Sequence, residues 1–135
     1  MRQFIRHPSD IPITYSITHI GSCWKNCLRN ISRGGLCFRA DNPIERGCMI
    51  HIAIPIREPE FTVIGTIVWC RKTNSHFDVG VRFADENTEF AVRMIEQICH
   101  ISHYQKQILE REGRQLSGEE AAAEWVAKFA RNFPR

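Results

Sequence analysis

Between residues 13 and 83 apolar and polar side chains alternate in short runs separated by turn residues. Ile13, Tyr15 and Ile17 fall on one side and Thr14, Ser16 and Thr18 on the other, the period of two that marks a half-buried strand. The same alternation predicts six strands, over 13–20, 23–31, 36–40, 48–54, 61–71 and 77–83. In the second, Cys23, Cys27 and Arg29 share one parity and Trp24, Asn26 and Leu28 the other. The fifth is apolar from Val63 to Trp69, which predicts burial on both faces over part of its length. Gly65 there marks a bend or bulge at a corner, and Trp69 is assigned to the core rather than to a stack on a ligand. In the sixth, Gly80 lies on the face opposite Val79 and Val81 and leaves room for a neighbouring backbone. Pro8 and Pro12 predict an irregular first ten residues.

Six short strands spaced by turns specify a small antiparallel barrel or sandwich. After residue 87 the period changes. Phe90, Ala91, Met94, Ile95, Ile98, Ile101, Ile108 and Leu109 have helical spacing, which predicts a helix to about residue 112, ended by Gly113. Ser117-Gly118-Glu119-Glu120 has the form of a capping box. It opens a second helix with Ala121, Ala122, Trp125, Val126 and Phe129 on one stripe and Pro134 at its end.

A chain of 135 residues, 43% hydrophobic and 24% charged, fits one soluble domain. It has no apolar run long enough to span a membrane and no apolar core of a signal peptide at its start, so a cytoplasmic protein is expected. Charge is uneven. Residues 1–40 hold six Lys or Arg against Asp10 alone, a net of +5, while the other 95 hold twelve basic and fourteen acidic side chains, a net of −2. A basic first third suits an anionic partner as well as a solvated face. Of the six cysteines, Cys23 and Cys27 lie on one strand about 13 Å apart, too far to share a metal. Cys99, His100 and His103 on a helix are the best remaining zinc candidates, but buried thiols are the simpler reading and no metal is expected.

Two polar constellations stand out: Arg2-x-x-x-Arg6, and Asn30-x-Ser32-x-x-Gly35 twenty-eight residues beyond the first arginine. Together they resemble the two-part signature of PilZ domains, bacterial receptors for cyclic di-GMP. Gly65-Thr66-Ile67-Val68-Trp69 and Val79-Gly80-Val81-Arg82-Phe83 are similar to that family's last two core strands. The resemblance covers about residues 1–100 and implies a six-stranded antiparallel β-barrel followed by C-terminal α-helices, with 101–135 as a helical extension of the same compact unit. It also implies that Arg2, Arg6, Asn30, Ser32 and Gly35 bind cyclic di-GMP. A guanidinium fork matches guanine O6 and N7, lies over a purine face, or pairs with phosphate. Asn30 and Ser32 would hydrogen-bond a base, and Gly35 would allow close backbone approach. Taken singly, each has a plainer reading: a basic terminus, side-chain bonds that brace a turn, a strand-start glycine. Arg33 and Arg39 either add positive potential near phosphate or are simply solvated. Only Met1 precedes Arg2, so that arginine requires an ordered terminus.

The function implied is a non-enzymatic switch. The arginine segment folds over the nucleotide, and the change is passed to a protein partner through the C-terminal helices. Those helices could pack on the barrel, pair with a second copy as a homodimer, or meet a target. The alternative is a PilZ-like adaptor that binds protein and not nucleotide. A nucleic-acid-binding barrel would need aromatics interleaved with Lys and Arg across a strand face, which is not evident, so neither DNA nor RNA is expected. No nucleophile, base and orienting group fall in recognisable spacing, which argues against an enzyme.

Overall fold

The computed structural model describes residues 6–17, 22–56, 60–84 and 88–128. Seven strands are formed: β1 (His7–Pro8), β2 (Pro12–Ile17), β3 (Cys23–Ile31), β4 (Gly35–Ala40), β5 (Met49–Ile54), β6 (Phe61–Thr73) and β7 (His76–Phe83). All pairings are antiparallel. Their order, β3-β2-β5-β6-β7-β4, closes on itself because β4 also pairs with β3. The result is a six-stranded antiparallel barrel with β1 added, followed by α1 (Thr88–Glu112) and α2 (Gly118–Lys128).

The alternation explains the closure. Ile13, Tyr15, Leu28, Leu36, Phe38, Ile50, Ile52, Ile54, Phe61, Ile67, Val79 and Val81 all turn inward and are buried. Phe38 and Phe61 are fully enclosed, and side chains of that size contribute about 3 kcal/mol each when removed from water. The same core takes in Met94, Ile98 and Ile101 of α1 and Ala121, Ala122 and Trp125 of α2. The described parts of both helices therefore pack against their own barrel. Phe129 and Pro134, expected on and after the second helix, lie outside the described residues.

Two expectations change. The first ten residues are not wholly irregular, since β1 pairs His7 with Ile31 and Pro8 with Asn30. Between the prolines the chain keeps contact with β3 through Ser9 N to Arg29 O (3.1 Å) and Leu28 N to Ile11 O (2.8 Å). The fifth predicted strand is not buried on both faces, because Ile64 is 45% exposed. Nor does the irregularity of β6 fall at Gly65, which pairs in register with Ile50. The register shifts instead between Ile67 and Trp69.

The helix ends follow the sequence. Gly113 has φ +69° and donates its N–H to Leu109 O at 3.0 Å, a left-handed cap that glycine adopts without strain. Ser117 N donates to Glu120 Oε1 (2.9 Å) and Glu120 N to Ser117 Oγ (3.1 Å), the two reciprocal bonds of a capping box. Asp10 reaches the same helix start from the barrel, accepting from Gly118 N at 3.3 Å. Among the described residues no helix is long and apolar enough to cross a membrane.

Candidate functional site

Two one-residue bulges build the site. In β3, Leu28 pairs with Phe38 but Asn30 with Cys37, so Arg29 is an extra residue. In β6, Ile67 pairs with Val81 but Trp69 with Gly80, so Val68 is extra. Each bulge reverses the parity of the residues beyond it. Without the first, Asn30 would share the inward side of Leu28. With it, Ile31 turns in and is fully buried, leaving Asn30 outside. Without the second, Trp69 would point inward with Ile67. With it, Cys70 packs on the core and Trp69 and Arg71 face out. Trp69 is thus half-buried in a cleft wall rather than a core residue.

Outward positions now line up across four strands. Asn30 lies beside Cys37, Cys37 beside Gly80, and Gly80 beside Trp69. A second row runs from Arg39 through Asp78 to Arg71. Above these rows opens a cleft of about 490 Å³, within the range of small-molecule sites. Its walls include Arg6, Arg29 and Arg71, with Asp78 as the carboxylate. Gly80 lies directly against the Trp69 ring. A Cβ at Gly80 would come within 2.2 Å of the indole, so only glycine lets the ring lie on the strand. The Arg71 guanidinium stands 5.3 Å over that ring, a cation–π contact that aims it along the cleft.

The arginine segment meets the Asn-Ser-Gly turn here. Arg6 Nη1 donates to Asn30 Oδ1 at 2.7 Å, and β1 comes directly after it, pairing Pro8 with Asn30. Arg2 lies outside the described residues. Ser32 is 4% exposed; its hydroxyl donates to Gly35 O and accepts from Gly34 N, both at 3.3 Å. Its backbone N donates to the same Gly35 O at 2.8 Å. Ser32 therefore braces the turn that presents Asn30. Gly35 is held by β7, since a Cβ there would sit 2.0 Å from Val81 O. Of the five motif residues, the structure brings Arg6 and Asn30 to the cleft and places Ser32 and Gly35 beneath the turn. Arg33 is exposed and Arg39 half-buried, and neither lines the cleft.

Sequence reading missed Arg29, Cys37, Arg71 and Asp78. Proximity to Asn30 and Trp69 is the signal that could have found Arg29 and Arg71. Cys37 and Asp78 become visible only through the strand register.

Burial, with Asp78 nearby, pushes the Cys37 thiol up to about 11 against the pull of Arg6, Arg29 and Arg71. At pH 8 about one molecule in a thousand would carry the thiolate. Cys37 is expected to resist a thiol reagent such as Ellman's in the native protein and to react on unfolding in urea, whereas exposed Cys23 reacts at once. Counting reacted thiols with and without denaturant checks this. The helical zinc candidates part company: Cys99 Sγ lies 3.7 Å from His7 Nδ1, His100 stacks on Trp125 at 5.7 Å, and His103 accepts from Gln107 Nε2 at 3.0 Å. Among the described residues no group of three or more His, Cys, Asp or Glu could hold a metal ion.

A family model described as the PilZ domain matches residues 1–100. The chain belongs to the PilZ domain family. Solved structures share its fold. The PilZ domain of YcgR from Escherichia coli with c-di-GMP aligns with a TM-score of 0.64 at 10% identity, over 82% of this chain and 98% of that one. The Bacillus subtilis inhibitor of motility MotI/DgrA gives 0.60 at 13% identity, over 82% of this chain and 52% of the other. This PilZ chain thus spans about half the length of the Bacillus protein. The PilZ domain of CeSA from a cellulose synthesizing bacterium gives 0.56 at 16% identity, over 73% and 99%. No curated protein matches the chain by sequence.

Proposed function

We propose that this PilZ chain is a non-catalytic receptor for cyclic di-GMP that signals to a protein partner. The observation that carries the reading is the Arg6–Asn30 bond. It joins the two halves of the signature in one cleft with three arginines. Cyclic di-GMP carries two phosphate charges and two guanines. Arginine suits both, as a fork for O6 and N7 and as a partner for phosphate. Trp69, seated on Gly80, carries the Arg71 guanidinium over its ring, and that planar group can in turn lie over a base. Arg2 joins the set through the motif, Asn30 offers its amide to a base, and Ser32 and Gly35 hold the turn that carries it. The PilZ domain of YcgR and the Klebsiella pneumoniae MrkH complex, both described with c-di-GMP, support the ligand assignment.

In this reading Arg6 exchanges its bond to Asn30 for the ligand, and the segment it belongs to carries the change onward. That segment already touches the helices, through His7 at Cys99 and Asp10 at Gly118. The barrel to about residue 100 is the binding unit, and residues 101–135 complete the same unit and meet the partner.

Calorimetric titration of cyclic di-GMP into the full chain tests the proposal. Heat with a defined stoichiometry is expected. Its absence at tens of micromolar would instead leave the chain as a protein-binding adaptor. Affinity should fall as salt rises from about 50 to 200 mM, because screening weakens arginine–phosphate pairs; a flat response would exclude phosphate contacts by the arginines.

A further inference from the structure

We infer that Asp78 reads the Watson–Crick edge of a guanine in the cleft and makes the site selective for guanine over other purines. This rests on the reading of the cleft as a cyclic di-GMP site. Asp78 is only 8% exposed and lies on β7 two residues from Gly80, on the same outward face as Trp69 and Arg71. Its Oδ1 is 3.8 Å from Arg29 Nε and 3.5 Å from His76 Nε2, and among the described residues that oxygen has no hydrogen-bond partner. A buried carboxylate with an unused acceptor is costly unless something donates to it.

The chemistry of the ligand narrows what that donor is. A phosphate is repelled by a carboxylate, so the phosphates belong with the arginines. Guanine presents N1–H and the N2 amino group side by side, two donors that match the two acceptor oxygens of an aspartate. Adenine has an acceptor at N1 and no N2 amino group. Hypoxanthine keeps N1–H, O6 and N7 and lacks only the amino group. The other polar walls do not supply this acceptor pair. Asn30 has a single acceptor oxygen, Cys37 is held protonated by burial, and the rest are donors. Arg29 and Arg71, on either side, balance the charge of Asp78.

The test compares cyclic di-GMP with cyclic di-inosine monophosphate, by calorimetry, on the wild-type chain and on Asp78→Asn. The wild type is expected to bind the inosine analogue about tenfold or more weakly. An asparagine has a single acceptor oxygen, so the ratio of affinities should fall to within about twofold in Asp78→Asn. Because the ratio is taken within one protein, a general loss of stability does not mimic it. An unchanged ratio in Asp78→Asn, equal binding of both ligands by the wild type, or loss of both ligands together from a folded Asp78→Asn would each overturn the inference. The last would mark Asp78 as a support for the arginines. A wild type that binds neither nucleotide would remove the receptor reading itself, and the inference with it.

Discussion

Replacing Arg6 by alanine is expected to abolish cyclic di-GMP binding while leaving the barrel folded. Arg6 is half-buried, precedes β1, and its described hydrogen bond goes to Asn30 in the cleft. Its removal withdraws a charge-assisted fork from a partly desolvated site, a loss of about 2–5 kcal/mol in comparable interfaces. That corresponds to a fall in affinity of at least about thirtyfold. The barrel core does not include Arg6, so the thermal midpoint should move by no more than about 2 °C. Calorimetry and a thermal melt on the same preparation separate the two effects. Arg6→Lys keeps the charge but loses the planar fork, and should recover only part of the affinity. Unchanged affinity in Arg6→Ala would refute the assignment of the cleft.

The second large effect is on stability. Gly35→Ala places a Cβ 2.0 Å from Val81 O and 3.1 Å from Val81 C. Both atoms are backbone of β7, so no side chain can swing aside. Either β4 or β7 must shift, at a cost of about 3 kcal/mol or more, and the midpoint should drop by roughly 10 °C. Urea unfolding with an unchanged slope would identify this as lost stability. The outcome separates two meanings of the motif glycine. A large loss of stability fits a glycine that lets β4 lie against β7. A stable variant that no longer binds nucleotide would return Gly35 to the ligand.

Much of the fold was legible because alternation is a local signal. β3 occupies the predicted residues, and β4, β5 and β7 differ from expectation by one residue at their starts. β1 was illegible because two residues have no period, and because Pro8 argues against a strand unless its missing N–H falls where no ladder bond is needed. The site was legible by half. Arg6 and Asn30 meet as their motifs implied, but Trp69 was misplaced for a definite reason. Counting in twos from Phe61 through Val63 and Ile67 puts Trp69 indoors, and nothing in the sequence announces that Val68 will be skipped. The same blindness hid Asp78, whose neighbours Arg39 and Arg71 are fixed by pairing across three strands.

The paired bulges also change what kind of mutation this surface can bear. Asn30 and Trp69 owe their outward aim to an odd count of residues, so along 28–31 and 67–70 the constrained quantity is length. Val68 can drift in chemical type while the odd count survives, whereas Arg29 is held to its type by the cleft and by Asp78. Deleting either would swing a polar amide or an indole into the barrel and the next apolar side chain out. The lineage of such a chain would then record substitutions at Val68 but almost never gaps at either position.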